Sequence, residues 1–222
     1  MFQHEKKLLH PVAVTQPNPQ YAVLMQEALG GANGELKSAL QYLSQSFRVR
    51  DEKIRDLFLD IAAEELCHME MVAQTINLLN GGEPDFRQVP AGEIQTQIAF
   101  GLTPALVNAS GACFTAAYIN LTGDLAADLL SDIAGEQRAK VTYEALYRQI
   151  NDRKVRDTID FLLNREEAHN AMFREAFEQV RDSGSNRDFG TTQAAQMYFD
   201  LSSPTPPDTP FPQTDVQPPA FQ

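Results

Sequence analysis

Two Glu-x-x-His pairs are the residues most suited to chemistry in this chain: Glu65 with His68, and Glu166 with His169. Carboxylate and imidazole are donors for divalent metals, and a spacing of three turns both from the same helical face. The sequence has only four histidines, and the other two, His4 and His10, lie in the N-terminal segment. One Glu-x-x-His alone would read as a solvated Glu beside a packed His. With 15 Glu in 222 residues, accident seldom places Glu three positions before a given His, and more seldom does so twice. An offset of 101 residues lays one pair on the other, and the match extends well beyond them. Gly34-Glu35 falls on Gly135-Glu136, Tyr42 on Tyr143, the run Asp51 to Asp56 on Asp152 to Asp157, and Met71 on Met172. Ten of the 39 positions from 34 to 72 are identical. A repeated helical hairpin would explain the Asp-x-Lys-x-Arg-Asp run by itself. It would not explain why Glu and His keep the same register.

The elements that must position these groups follow from proline, caps and periodicity. No proline occurs from Gln20 to Gly82 or from Ala105 to Ser203, which leaves room for long helices. The first helix is expected to open at Asn18-Pro19 and run to about Val49, with Gly30, Gly31 and Gly34 inside it. Close packing beside a metal centre would justify what three helical glycines cost. The second should start at Asp51 and end at Asn80-Gly81-Gly82, with Ile54, Leu57, Phe58, Ile61, Ala62, Leu66, Met69 and Val72 on its apolar face. A third runs from Asp124 to about Ile150. A fourth, capped by Asp152, carries Val155, Ile159, Leu162, Leu163 and Phe173 and stops near Ser183-Gly184.

Two hairpins joined by a long connection make an all-α four-helix bundle with a crossover. Residues 1–20 read as an N-terminal extended segment, 21–184 as the bundle with its crossover at 83–122, and 185–222 as an extended tail. Seven of the 13 prolines fall between Pro204 and Pro219, so the tail from Ser202 cannot be helical. The turns lie near residues 50 and 151. Roughly 15 residues up and 15 back, at about 1.5 Å each, bring Glu35 level with Glu65, and Glu136 level with Glu166. Four carboxylates and two imidazoles then share one level of the bundle, the ligand set of dinuclear-metal carboxylate proteins. Two divalent ions would balance the four carboxylates, which are costly to bury otherwise. Tyr42 and Tyr143, seven positions after Glu35 and Glu136, read as core aromatics or as hydrogen-bond donors that orient a ligand, with Tyr42 the better candidate. Cys67 and Met69 read as packing.

Composition excludes other classes. The 18 Lys+Arg and 30 Asp+Glu give a net charge of −12, which repels nucleic acid and anionic lipid. Charged residues interrupt every apolar run before the roughly 20 residues of a membrane span. The start, Met1 to Lys7, lacks the basic-then-apolar order of a secretory signal. Cys67 and Cys113 form no disulfide framework, so a cytoplasmic, reducing compartment is expected.

On these motifs the chain resembles the manganese catalases, from Met1-Phe-Gln-His-Glu-Lys-Lys through Gly30-Gly31-Ala32-Asn33-Gly34-Glu35 and the stretch Ile61 to Val72. The resemblance continues through Ile133 to Lys140 and Phe161 to His169. It implies a ferritin-like bundle holding two Mn ions, with hydrogen peroxide as substrate, in a homo-hexamer whose tails wrap neighbours. Calcium is a further candidate ion. It implies that Glu65 bridges the ions, that Glu35 and His68 complete one site, and that Glu136 and His169 complete the other. Glu166 would then be a proton relay near the bridging solvent and not a ligand. One branch of that family carries an Arg immediately before the third-helix Glu, paired with the relay. Gly135 stands there in this chain, which predicts an unpaired Glu166, a wider access channel and different pH behaviour.

Two other functions share the scaffold. A di-iron ferroxidase or peroxidase would use the same donors, which discriminate poorly between Mn and Fe. A metal-storage or structural protein would hold metal and turn over little peroxide. Evolution of O2 from peroxide without a reductant separates catalase from both.

Overall fold

The computed structural model describes residues 4–81, 103–182 and 193–197. The expected crossover start at 83–102 and the Pro-rich tail from Ser202 lie outside the described residues. Among the described residues five α-helices carry the architecture: α1 (Pro19–Gly30), α2 (Glu35–Ser46), α3 (Glu52–Asn80), α4 (Leu125–Gln149) and α5 (Arg153–Asp182). Short 3-10 turns occur at Ala116–Tyr118 and Gln193–Gln196, and the described residues contain no β-strand. No helix among them is long and apolar enough to cross a membrane.

Caps set the helix starts where the sequence places them. The side chain of Asn18 accepts from the Gln20 and Tyr21 amides, that of Asp51 from Lys53 and Ile54, and that of Asp124 from Ala126 and Ala127. Asp152 accepts from the Lys154 and Val155 amides at 2.9 and 3.3 Å. Gly81, at φ 74°, ends α3 in a conformation that disfavours a Cβ.

The expected single helix from Pro19 to about Val49 is instead two. Gly31 and Gly34 take extended backbone angles (ψ 170° and 169°) between α1 and α2. The crossover lies against the end of α1. Gln26 Nε2 donates to the carbonyls of Ala105 and Val107 at 2.7 and 2.9 Å, and the Ala109 amide donates to Glu27. Val107 thereby lies so close that a Cβ on residue 30 would come within 2.5 Å of its backbone nitrogen. Gly30 serves the approach of the crossover, and a Cβ at Gly31 or Gly34 would meet the carbonyls of Glu27 or Ala28 at the end of α1, so the three glycines answer to the crossover and the tight turn and not to close packing beside the metal site. The break also makes Glu35 the first residue of α2, where the positive end of the helix dipole favours a carboxylate.

The core consists of two apolar clusters. One contains Met25, Leu29, Met71, Ile76, Tyr143, Ile159 and Leu162, among others. The other contains Tyr42, Phe58, Ile61, Leu129, Phe173 and Ala176. Each long strand of the bundle passes from one cluster to the other: Leu29 to Tyr42, Ile61 to Met71, Leu129 to Tyr143, and Leu162 to Phe173. Glu35, Glu65 with His68, Glu136, and Glu166 with His169 fall in those four gaps. The order also shows that α3 and α4 run in the same direction, which is why a long connection must join them. Of the apolar face expected on α3, Ile54, Phe58, Ile61, Ala62 and Val72 are buried, whereas Leu57, Leu66 and Met69 are only half-buried. Glu65 and His68 face further inward than these last three.

Candidate metal centre

All six residues singled out by spacing meet in one buried band. None of Glu35, Glu65, His68, Glu136, Glu166 and His169 is more than 2 % exposed. Glu65 sits between the two imidazoles, its Oε2 at 3.1 Å from His68 Nδ1 and its Oε1 at 2.9 Å from His169 Nδ1. The rings are 5.6 Å apart between centroids and inclined by 24°. Glu35 Oε2 and Glu166 Oε1 both lie 3.8 Å from His68 Nδ1, and Glu136 Oε2 lies 3.9 Å from His169 Nδ1. Two overlapping groups result: Glu35, Glu65, His68 and Glu166, and Glu65, Glu136, Glu166 and His169. Each offers one ligand atom per residue, all within 4.8 Å of one another.

Burial and charge drive these groups apart in protonation. Burial pushes Glu35 up to about 8, with the Glu65 charge adding to the rise, and burial and Glu65 push Glu136 up to about 7. Glu166 rises well above the carboxylate range, through burial and then through Glu65, Glu136 and Glu35. Glu65 goes the other way. Burial alone would raise it, but His169 and His68 outweigh burial and hold it below the usual range. For His169, burial works downward while Glu64 and Glu65 push it up to about 10. His68 is raised as well, because Glu35, Glu64 and Glu65 outweigh its burial. Burial thus favours the neutral form of Glu35, Glu136 and Glu166, while the two imidazoles beside Glu65 favour its charge.

The donors fit a pair of divalent cations. Glu136 Oε2 and both oxygens of Glu166 are buried and accept from no tyrosine or imidazole donor, and His68 Nε2 and both nitrogens of His169 approach carboxylates without hydrogen-bond geometry. Buried polar atoms left unpaired are costly, and this many converging on one small volume fit a shared pair of cations. Oxygen and imidazole with no thiolate suit manganese.

The tyrosines cross between the hairpins. Tyr42 Oη donates to Glu136 Oε1, and Tyr143 Oη donates to Glu35 Oε1. Spacing marked both as possible donors and favoured Tyr42, yet the two contacts are equivalent. Both phenols are buried and held well above their ordinary value, by burial first and then by the carboxylate each one meets.

Gly135 has a specific neighbour. A Cβ there would stand 3.2 Å from Lys37 Nζ and 3.7 Å from Tyr42 Oη. The space is taken by a buried ammonium, whose pKa burial lowers while Asp132 opposes the fall. Asp132, buried on α4, accepts from Gln41 Nε2 at 2.7 Å and is pushed up to about 8, chiefly by burial.

Sequence reasoning passed over Lys37, Asp132 and Glu64. Lys37 and Asp132 lie at i+2 and i−4 from ligand candidates and carry no motif. Glu64 precedes Glu65 and reads as an outward charge, yet it lies 3.4 Å from His68 Nε2 and 3.2 Å from His169 Nε2. Burial alone would raise it, but His169, His68 and Arg165 hold it far below the carboxylate range.

A four-helix bundle with a carboxylate from each of two strands and Glu-x-x-His from the other two defines a ferritin-like, dinuclear-metal class of protein. Comparison with known proteins narrows this. Residues 1–204 match the family described as manganese containing catalase, and the chain belongs to that family. It is 65% identical over 206 residues to a probable manganese catalase of Clostridium acetobutylicum, covering 92% of each chain. It is 34% identical over 194 residues to a manganese catalase of Lactiplantibacillus plantarum, covering 82% of this chain and 73% of the other. The crystal structure of wild-type KatB, a manganese catalase from Anabaena, superposes with a TM-score of 0.82 at 34% identity, covering 96% of this chain and 97% of that one. The chain is accordingly a non-haem, manganese-dependent catalase that converts hydrogen peroxide to water and dioxygen.

Proposed function

We propose that Glu65 would be a ligand common to two manganese ions, with Glu35 and His68 completing the donors for one and Glu136 and His169 those for the other. The observation that carries this reading is the overlap of two four-residue ligand groups that share Glu65 and Glu166. Glu65 meets both imidazoles with one oxygen each, so it would be available to both ions. Glu166 also belongs to both groups, but unlike Glu35 and Glu136 it accepts from no tyrosine, which leaves its oxygens available to take and return a proton. We assign it the relay role.

The reaction is 2 H2O2 → 2 H2O + O2. A pair of manganese ions supplies the two-electron redox change of each half-reaction, which avoids one-electron radicals. The chain supplies the rest. Glu166 takes a proton from one peroxide oxygen and delivers it to the oxygen that leaves as water. Tyr42 and Tyr143 hold Glu136 and Glu35 against rotation through one carboxylate oxygen each and leave the other turned to the centre. The two apolar clusters wall the band on both sides and keep bulk water from competing for its charges.

Two ions per chain, a homo-hexamer, a cytoplasmic location and a bound calcium are finer expectations that rest on the family resemblance and on composition. Elemental analysis of the purified protein beside an oxygen-electrode assay tests the central ones. About two manganese per chain and vigorous O2 release without a reductant are expected for this ligand set. Glu65→Gln and His68→Ala should lose metal and activity together. A Glu65→Gln protein with full metal content would overturn the bridging role, and iron in place of manganese with no O2 release would favour the di-iron peroxidase.

A further inference from the structure

Glu64 and Arg165 occupy equivalent places in the internal repeat: 64 plus the offset of 101 gives 165, just as 68 gives 169. Each residue directly precedes the Glu of its Glu-x-x-His. The repeat diverges here to opposite charges, and the two residues meet between α3 and α5. Arg165 Nε donates to Glu64 Oε1 at 2.6 Å, and Nη2 donates to Oε2 at 3.3 Å. Two glutamates or two arginines at this meeting point would repel. Behind the pair stand both histidines, with His68 Nε2 3.4 Å from Glu64 Oε1 and His169 Nε2 3.2 Å from Glu64 Oε2, ion-pair distances at which the carboxylate charge acts on each ring without hydrogen-bond geometry. The opposite nitrogen of each ring, Nδ1, faces Glu65.

We propose that Glu64, anchored by Arg165, is a positioning residue that holds both histidines in the tautomer with the proton on Nε2, so that each turns the Nδ1 lone pair to the metal. A neutral imidazole carries one N–H, and a carboxylate facing Nε2 favours the proton there. Without that carboxylate the proton can move to Nδ1, facing Glu65, and the ring cannot ligate. Carboxylates behind metal-bound histidines commonly set both ring orientation and ligand basicity. Here a single carboxylate serves two rings, one oxygen each. The repeat accounts for this economy, since the partner position holds the cation that steadies it. At 24% and 34% side-chain exposure the pair sits at the margin of the centre, outside the six proposed ligand and relay residues.

Calorimetric titration of metal-stripped, full-length protein with Mn2+ tests this. Glu64→Gln keeps the shape but removes the charge, and affinity should fall about 10–100-fold. The metal-free variant should melt close to wild type. Exchanging the pair, Glu64→Arg with Arg165→Glu, moves the carboxylate to α5 and should recover most of the loss. A Glu64→Gln protein that binds Mn2+ as tightly as wild type overturns the proposal. So does a loss matched by early melting of the metal-free variant, which would mean packing, or an exchanged pair no better than Glu64→Gln. The inference rests on the ligand assignment above, and that assignment fails separately if the wild-type protein itself takes up no Mn2+.

Discussion

Tyr143 on α4 donates its hydroxyl to the carboxylate of Glu35 at the start of α2, so the phenol of the second hairpin serves the glutamate of the first. Tyr42 returns the contact to Glu136, and the two bonds tie the hairpins together across the metal centre. Tyr42→Phe and Tyr143→Phe should therefore behave alike. Each leaves a buried carboxylate oxygen without its donor, at a cost of about 1–3 kcal/mol. Chemical denaturation of the metal-free proteins measures this. A silent Tyr143→Phe beside a damaging Tyr42→Phe would show that the crossing is not symmetrical.

Glu166 differs from the other carboxylates in accepting from no tyrosine or imidazole on either oxygen. Glu166→Gln should keep much of the manganese while turnover falls about 100-fold or more, the usual contribution of a positioned proton carrier. Metal content and O2 release, measured on one preparation, separate the two effects. Full activity in that variant would dispose of the relay.

Metal uptake should expel protons. Without metal, His169 is raised to about 10, Glu35 to about 8 and Glu136 to about 7, and His68 is raised too. Ligation needs all four in their deprotonated forms, so protons compete with the ions. Since every one of these shifts is upward, apparent Mn2+ affinity should climb as pH rises from about 6 towards 9, with on the order of two protons released per ion at neutral pH. Titrations in two buffers of different ionisation enthalpy count the protons. A pH-independent affinity would contradict the protonation pattern.

Gly30→Ala would drive a Cβ into the backbone of Val107, 2.5 Å from its nitrogen, where no flexible side chain can give way. Displacing the crossover should cost about 1–3 kcal/mol, as overpacking does elsewhere. The measurement is a shift in denaturation midpoint at unchanged slope. An unperturbed variant would mean that the crossover docks more loosely on α1 than the structure shows.

Much of this protein can be read from local chemistry. Asp51, Asp124 and Asp152 announce helix starts because a short acidic side chain satisfies amides two and three residues ahead, a contact that needs no tertiary partner. The six residues of the band follow from helical rise and a 101-residue repeat, both arithmetic along the chain. Other features depend on what packs against what. The break at Gly31–Gly34 has a local sign in three glycines among five residues, yet what Gly30 must clear is the crossover, from 77 residues further along. Lys37 looks like an outward charge until Gly135 on another helix makes room for its ammonium. Glu64 reaches two histidines only because α3 and α5 bring their equivalent turns face to face. Periodicity specifies which side of a helix a residue occupies. Which neighbour waits there is settled by close packing between distant segments, and that is where partners were chosen for the tyrosines, for Lys37 and for Glu64.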